Sequence, residues 1–291
     1  MSLVGKTCVV TGASRGLGRA IAEHLAAEGA TLALCARTES DLEAVAAAIR
    51  ARHGVTVLAR TVDVADEAAV RGFAASVAGE GPAVHAVINN AGLLGPVGRL
   101  DTVDLAAWRT AFAVNAIGVV HVTAAFVPLM TEGGSIVNLS GGGVGGPGIQ
   151  SNISAYTSSK GAIASLTETL AAEFAPLGVR VNAIAPGALP TDLMRPVLAA
   201  GASQSGDKLY KTTQRIYGGA PEASTITLDD NCRALLDFLL DDSSRGLTGR
   251  LLSARWDAVD DLRAQLTTLP TSSRYTLRRI DGDLFQESER P

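Results

Sequence analysis

The chain has 291 residues, of which 47% are apolar, so it is long enough for one large α/β domain or two small ones. Its formal net charge is −4, without a basic patch or a long run of like charges, so we expect neither nucleic acid nor an anionic membrane surface as a partner. Three widely spaced cysteines and four histidines without metal-ligand spacing indicate neither a disulfide framework nor a metal site.

The N-terminal residues predict a strand rather than a secretory signal, so we expect a cytoplasmic location. One apolar stretch over residues 111–130 is long enough to suggest a membrane span. It carries Asn115 and His121 and has Pro128 near its end, so a buried core helix is the better interpretation.

In chain order, short apolar runs rich in β-branched residues alternate with alanine-rich helical stretches. Strands are predicted at 7–10, 31–36, 55–62, 84–89, 135–140 and 179–184, and helices near 17–28, 39–52, 66–79, 104–130 and 156–176. This alternation implies right-handed crossovers, and the continuous apolar strands indicate a sheet covered on both faces. The expected fold class is therefore α/β, a three-layer doubly wound parallel sheet of the Rossmann type.

The pattern loosens after about Thr191, and residues 195–225 have so little periodicity that they predict a mobile excursion. Three further elements are predicted: a helix near 228–241, a short strand near 251–254 and a helical stretch near 257–266. We expect one domain over 1–255, in which 188–225 forms a substrate lid, followed by a C-terminal extension over 256–291.

Basic residues leave two questions open. In the lid, Lys208, Lys211 and Arg215 indicate either a polar or anionic substrate or a solvated face. The extension, with Arg274 among its charges, is either a solvated segment packed on its own subunit or a border of the substrate pocket, its own or a neighbour's.

A glycine-rich turn, TGASRGLG, directly follows the first strand and opens the first helix. Its glycines permit a tight turn and let the backbone approach a pyrophosphate, and the helix N–H groups supply an anion site. The binding residues predicted in this turn are Gly12, Ser14, Arg15, Gly16, Leu17 and Gly18. At the end of the second strand, Arg37 and Thr38 replace the acidic residue that an NAD-specific site places there. The guanidinium groups of Arg15 and Arg37 suit a 2′-phosphate, so NADP(H) is the predicted cofactor.

Further motifs follow in order: Asp63-Val64, Asn89-Asn90-Ala91-Gly92, Asn115, Tyr156 with Lys160, and Pro186-Gly187 with Thr191. Together with the glycine turn they resemble the short-chain dehydrogenase/reductase family from about residue 4 to residue 250. The resemblance implies an oxidoreductase that interconverts a carbonyl and an alcohol on a small molecule. It also implies a homodimer or homotetramer with subunit contacts through the helices near 104–130 and 156–176.

Tyr156 and Lys160 are four residues apart in a predicted helix, so their side chains share a face. A phenol with a pKa of about 10 is a poor base at neutral pH. A nearby ammonium, helped by an oxidised nicotinamide, could lower that pKa by roughly 1 to 3. Tyr156 would then give a proton to a carbonyl oxygen or take one from an alcohol.

The resemblance assigns the other roles. Lys160 would also bind the nicotinamide ribose, and Asn115 would hold a water that links Lys160 to solvent; the alternative for Asn115 is a helix kink satisfied by backbone. Asp63 would accept from the adenine amino group. The remaining cofactor-binding residues would be Val64, Asn89, Ala91 and Gly92 near that end, and Pro186, Gly187 and Thr191 along the nicotinamide.

One position departs from the family pattern. Gly141 stands where the family has a serine that orients the substrate oxygen. Ser140 could replace it through a bulge in the glycine run, because a shift of one residue otherwise reverses the face. Ser151 or Ser154 could supply the hydroxyl instead, or the substrate could be oriented without one.

Two other functions stay open at this point. Gly141 supports a catalytically weak or inactive NADP(H)-binding regulator or scaffold. A sugar-nucleotide epimerase or dehydratase is the third interpretation, although those longer relatives space the first glycines differently and add a larger C-terminal domain.

Overall fold

Seven parallel strands form the centre of the molecule, in the order β3-β2-β1-β4-β5-β6-β7. The computed structural model describes residues 2–80, 83–141, 144, 150–218 and 226–277. The strands are β1 (Thr7–Thr11), β2 (Thr31–Ala36), β3 (Val57–Thr61), β4 (Val84–Asn89), β5 (Met130–Leu139), β6 (Arg180–Ala185) and β7 (Leu251–Ser253). The order reverses between β1 and β4, and this is where doubly wound sheets open a binding crevice at their carboxyl edge.

Helices cover both faces of the sheet. They are α1 (Gly16–Ala27), α2 (Glu39–His53), α3 (Glu67–Glu80), α4 (Leu105–Phe112), α5 (Gly118–Phe126), α6 (Ser154–Phe174), α7 (Arg195–Ser205), α8 (Asp207–Tyr217), α9 (Asp230–Leu240) and α10 (Val259–Gln265). Buried side chains of α1, α2, α9 and α10 form one core layer, and those of α3, α5 and α6 form the other. The predicted three-layer doubly wound α/β fold is confirmed.

The helix predicted over 104–130 is interrupted. A π-helical turn, Ala113–Ile117, separates α4 from α5. The combined run Leu105–Leu129 is long and apolar enough to cross a membrane by length and composition. Its α5 part nevertheless packs on α3, where the rings of Phe126 and Phe73 meet edge to face at 5.4 Å, as expected for a core helix.

Residues 195–217, where the sequence predicted an excursion of little periodicity, form the helices α7 and α8. The mobility of this segment stays a prediction. The α8 stripe that faces inward contains buried Leu209 and Thr213. The Thr213 hydroxyl donates to the carbonyl of Leu209 at 2.9 Å, so this buried polar group is satisfied within the helix. The end of the predicted lid, residues 219–225, lies outside the described residues.

The extension crosses the outer edge of β7. The backbone N–H of Leu251 donates to the carbonyl of Tyr275 at 2.7 Å. The buried Arg250 donates from Nη1 to the carbonyls of Ser272, at 2.8 Å, and Arg274, at 2.9 Å. These bonds hold residues up to 277 against their own sheet, whereas 278–291 lie outside the described residues. The boundary of the domain at 255 stays a prediction.

Candidate active site

A cavity of about 1320 Å³ lies over the carboxyl edge of the sheet. Ligand pockets usually measure about 300–1,000 Å³, so this one has room for more than one small molecule. Most of the predicted site residues line it, namely Gly12, Ser14, Arg15, Gly16, Leu17, Gly18, Arg37, Thr38, Asp63, Val64, Ala91, Gly92, Ser140, Tyr156, Lys160, Pro186, Gly187 and Thr191. The two exceptions, Asn89 and Asn115, are buried behind its wall.

The glycine turn has the close packing that a nucleotide cradle requires. Gly12 and Gly16 have φ of +65° and +56°, a conformation that glycine adopts without strain. A Cβ on Gly18 would overlap the carbonyl oxygen of Gly12 and the side-chain nitrogen of Asn90. Asn90 Nδ2 donates to the carbonyl of Thr11 at 2.9 Å and so fixes the turn. Asn90 also lines the cavity and was missed as a binding residue, although it belongs to the Asn89–Gly92 motif.

The N-terminus of α1 fits an anion. Its capping residue, Arg15, has extended backbone and makes no side-chain hydrogen bond to the first turn. The first N–H groups of a helix need partners from outside, and the helix dipole favours a negative one. Because Ser14, Gly16 and Leu17 line the cavity beside them, the residues present fit a pyrophosphate.

The side chains at the end of β2 fit the ribose end of a phosphorylated cofactor. The exposed Arg37 lines the cavity and forms no ion pair with any described residue. The Arg15 guanidinium already has an ion-pair partner, because its Nη1 lies 3.9 Å from the carboxylate of Asp192.

Asp63 lies at the adenine end of the predicted site. One of its oxygens accepts the N–H of Ala65 at 2.9 Å, which leaves the other for an adenine amino group.

Asn89 belongs to a buried polar ladder rather than to the cavity wall. Its Nδ2 donates to Asn138 Oδ1 at 2.9 Å, and Asn138 Nδ2 donates to Thr167 Oγ1 at 2.9 Å. The ladder joins β4 to β5 and then to α6. Asn89 Oδ1 is buried without a hydrogen-bond partner among the described residues, and Asn89 does not line the cavity. Its predicted role in cofactor binding stays a prediction.

Asn115 lies in the π-helical turn and is fully buried. Its Oδ1 accepts the N–H of Leu93 at 2.7 Å, while its Nδ2 donates to the carbonyl of Leu93 at 2.8 Å and to Ser159 Oγ at 2.9 Å. Ser159 in turn donates to the carbonyl of Tyr156 at 2.8 Å. Asn115 thus clamps the loop after β4 to the start of α6. Both amide hydrogens are engaged, so its role in holding a water stays a prediction.

Lys160 is buried with its ammonium close to the sheet. Nζ donates to the carbonyl of Leu139 at 2.6 Å and lies 5.7 Å from the centre of the Tyr156 ring. Burial lowers the pKa of Lys160 to about 8, because the charged form loses its water.

In the protein without its cofactor, the pKa of Tyr156 is set by burial, which raises it to about 12. The lowering expected from Lys160 together with an oxidised nicotinamide concerns the cofactor-bound site and stays a prediction. The protein by itself therefore stabilises the protonated phenol.

Gly141 is in contact with the tyrosine. A Cβ at this position would overlap the hydroxyl of Tyr156 and lie 2.9 Å from its Cζ. The hydroxyl of Tyr156 thus occupies the space that a side chain at position 141 would need. Of the rest of the glycine run, 142, 143 and 145–148 lie outside the described residues.

The three serine alternatives are in different environments. Ser140 is buried at the cavity, and its Oγ has no hydrogen-bond partner among the described residues. Ser154 Oγ already accepts the indole N–H of Trp108 at 3.0 Å. Ser151 is exposed.

The lid lies against the glycine turn. The hydroxyl of Tyr217 donates to the carbonyl of Thr191, and a Cβ on Gly16 would lie 3.6 Å from Thr191 Cγ2. Asp192 is 2.5 Å from Arg195 Nε and 3.9 Å from Arg15 Nη1. The segment after β6 therefore covers the predicted pyrophosphate site.

Comparison with known proteins identifies the family of this chain. Residues 6–201 match the family model of the short chain dehydrogenases. An uncharacterized short-chain type dehydrogenase/reductase from Sinorhizobium fredii is 34% identical over 265 residues, which cover 87% of this chain and 96% of that protein.

Solved structures show the same fold. NAD+-bound xylitol dehydrogenase superposes with a TM-score of 0.74 and 33% identity, covering 87% of this chain and 98% of that one. A short chain dehydrogenase from Burkholderia cenocepacia in complex with NADP gives a TM-score of 0.71 and 30% identity, covering 87% and 97%. The chain belongs to the short-chain dehydrogenase/reductase family of nicotinamide-dependent oxidoreductases.

Proposed function

We propose that the protein interconverts a carbonyl and an alcohol on a small molecule with NADP(H), and that Tyr156 is its general acid and base. The observation that carries the proposal is a buried phenol that lines the same cavity as the nucleotide cradle, on one helix face with Lys160. The bound cofactor supplies or accepts the hydride, and the protein supplies position and protons.

Each part of the chain has one task in this mechanism. The turn at α1 binds the pyrophosphate, Arg37 pairs with the 2′-phosphate and Asp63 accepts from the adenine amino group. Tyr156 gives its proton to the substrate oxygen as negative charge develops there, and takes it back in the reverse direction. Lys160 binds the ribose, and Asn115 keeps the start of α6 in register.

The resting protein holds Tyr156 in the protonated form that carbonyl reduction needs. Because burial raises the pKa of Tyr156 to about 12, the phenol carries its proton at neutral pH, and this is the form that a general acid needs. Alcohol oxidation needs the phenolate, which requires added positive charge nearby.

We further propose that Ser140, with its unpartnered hydroxyl at the cavity, orients the substrate oxygen.

Replacing the phenol tests the acid/base role. In Tyr156→Phe we expect kcat for NADPH-dependent ketone reduction to fall about 10²- to 10⁴-fold, because a positioned general acid contributes that much. NADPH titration by fluorescence should show that the variant still binds the cofactor. Cofactor binding without turnover of any ketone by the wild-type protein would instead favour the inactive regulator.

We expect that the serine found at this position in the family lowers activity when it replaces Gly141. We expect Gly141→Ser to lower kcat about 100-fold, because its Cβ displaces the Tyr156 hydroxyl, and a shift of about 1 Å in a catalytic group costs that much. Gly141→Ala is the matched control and should be equally impaired. A serine variant that is more active than wild type would show that position 141 orients the substrate.

Arg37 tests the cofactor preference, which the relatives leave open because both NAD+ and NADP are seen among them. Arg37→Asp should raise KM for NADPH about 10- to 100-fold, the value of a charge-assisted hydrogen bond, and improve the use of NADH. Arg71→Asp, an equal change of charge on exposed α3, should leave both KM values unchanged. Wild-type preference for NADH would contradict the proposal.

We also propose a homo-oligomer that uses the α4–α5 run. Leu105, Ile117 and Val120 are 52%, 43% and 43% exposed there, and apolar side chains grouped on one run indicate a contact surface. Light scattering should give the mass of two or four chains for the wild type and a lower mass for Val120→Glu. A monomeric wild type would exclude the oligomer.

A further inference from the structure

The cavity continues beyond the carboxyl ends of β6 and β7 to the C-terminal extension. Its lining there includes Trp256, Tyr275, Thr276 and Leu277. Trp256 is 73% exposed, so most of its large aromatic surface has no cover. An uncovered indole beside a cavity indicates a place where an apolar ligand group can bind.

These residues form a wall of the cavity, and backbone and side-chain hydrogen bonds hold most of it in place. Tyr275 is paired with the edge of β7 through the Leu251 N–H, and the N–H of Leu277 donates to Glu168 Oε1 of α6 at 2.6 Å. Arg250 holds the preceding turn through the carbonyls of Ser272 and Arg274. The backbone that carries Tyr275 is therefore held against the sheet, so a ligand that binds there orders little new chain.

The lid side of the cavity is apolar as well. The lid residues that line it include Leu193, Met194, Pro196, Leu209 and Ile216. The basic side chains of Lys208, Lys211 and Arg215 are exposed and do not line the cavity. Of the two interpretations that their sequence allowed, the structure supports the solvated face.

The two carboxylates near this wall already have partners. Asp192 pairs with Arg195 at 2.5 Å, and an oxygen of Asp257 accepts the N–H of Ser253 at 2.7 Å. The Arg255 guanidinium lies over the Trp256 ring, 4.7 Å from its centre. Because Arg255 is exposed, an ion pair with it would stabilise an anionic substrate group only slightly, and that group would lose its hydration in the cavity.

We propose that the substrate is an uncharged, extended ketone or alcohol whose apolar body lies between the lid and the wall formed by Trp256 and Tyr275. The inference rests on the proposed function and adds to it a substrate class and a specificity-determining residue, Trp256. Burial of each CH2 group should raise kcat/KM about fourfold.

A series of ketones tests the wall. With NADPH, wild-type kcat/KM should rise about fourfold per added CH2 from butan-2-one to octan-2-one. Trp256→Ser should lower the octan-2-one to butan-2-one ratio about tenfold, because the chain loses its aromatic contact. Leu177→Ser, a matched loss of an apolar side chain that is 54% exposed away from the cavity, should keep the wild-type ratio.

An unchanged ratio in Trp256→Ser would overturn the proposal. The charged analogue 7-oxooctanoate separates the neutral class from an anionic one. A preference for this analogue over octan-2-one, abolished in Arg255→Gln, would also overturn the proposal, because Arg255 would then recognise a carboxylate.

A binding measurement separates this inference from the proposed activity. Octan-2-one titrated into the NADP+-loaded protein should quench tryptophan emission saturably in wild type and not in Trp256→Phe. If no ketone is reduced with either cofactor, the proposed activity is wrong, and this titration alone decides the substrate class. Equal quenching in both proteins, or none, would overturn the wall as a binding surface.

Discussion

The site depends on buried amide hydrogen bonds that hold α6 against the rest of the molecule. Asn115 joins Leu93 to Ser159, and Asn138 joins the sheet to Thr167. An unsatisfied buried polar group costs about 1–3 kcal/mol, so a one-residue shift of α6 would leave several such groups without partners. These bonds therefore select one register for the helix, and with it one position for Tyr156.

That position explains the protonation of the site. A helix held so close to the sheet buries the phenol and the ammonium together, and burial favours the neutral form of each. It raises the pKa of Tyr156 to about 12 and lowers that of Lys160 to about 8. Tyr156 is thus a protonated donor in the resting protein, and positive charge brought by a ligand would be needed to lower its pKa.

Local patterns in the sequence were enough to predict the sheet, most helices and the glycine turn, because each depends on residues near in the chain. The lid helices were missed because Gly201 and Gly206, with φ of +70° and +82°, divide the segment into short helical pieces. The meaning of Gly141 and the direction of the Tyr156 pKa depend on contacts across space. Sequence motifs named these residues but carried no information about their burial.

The C-terminal extension both covers the outer edge of the sheet and forms part of the proposed substrate-binding wall. A three-residue strand such as β7 leaves backbone groups unpaired at the outer edge of the sheet unless another segment covers them. Tyr275 covers this edge in the same chain, and its position beside β7 brings an aromatic ring to the cavity. The segment that protects the sheet edge thereby becomes a wall for the substrate, so changes in the extension should alter which molecules reach Tyr156 without altering the acid/base chemistry.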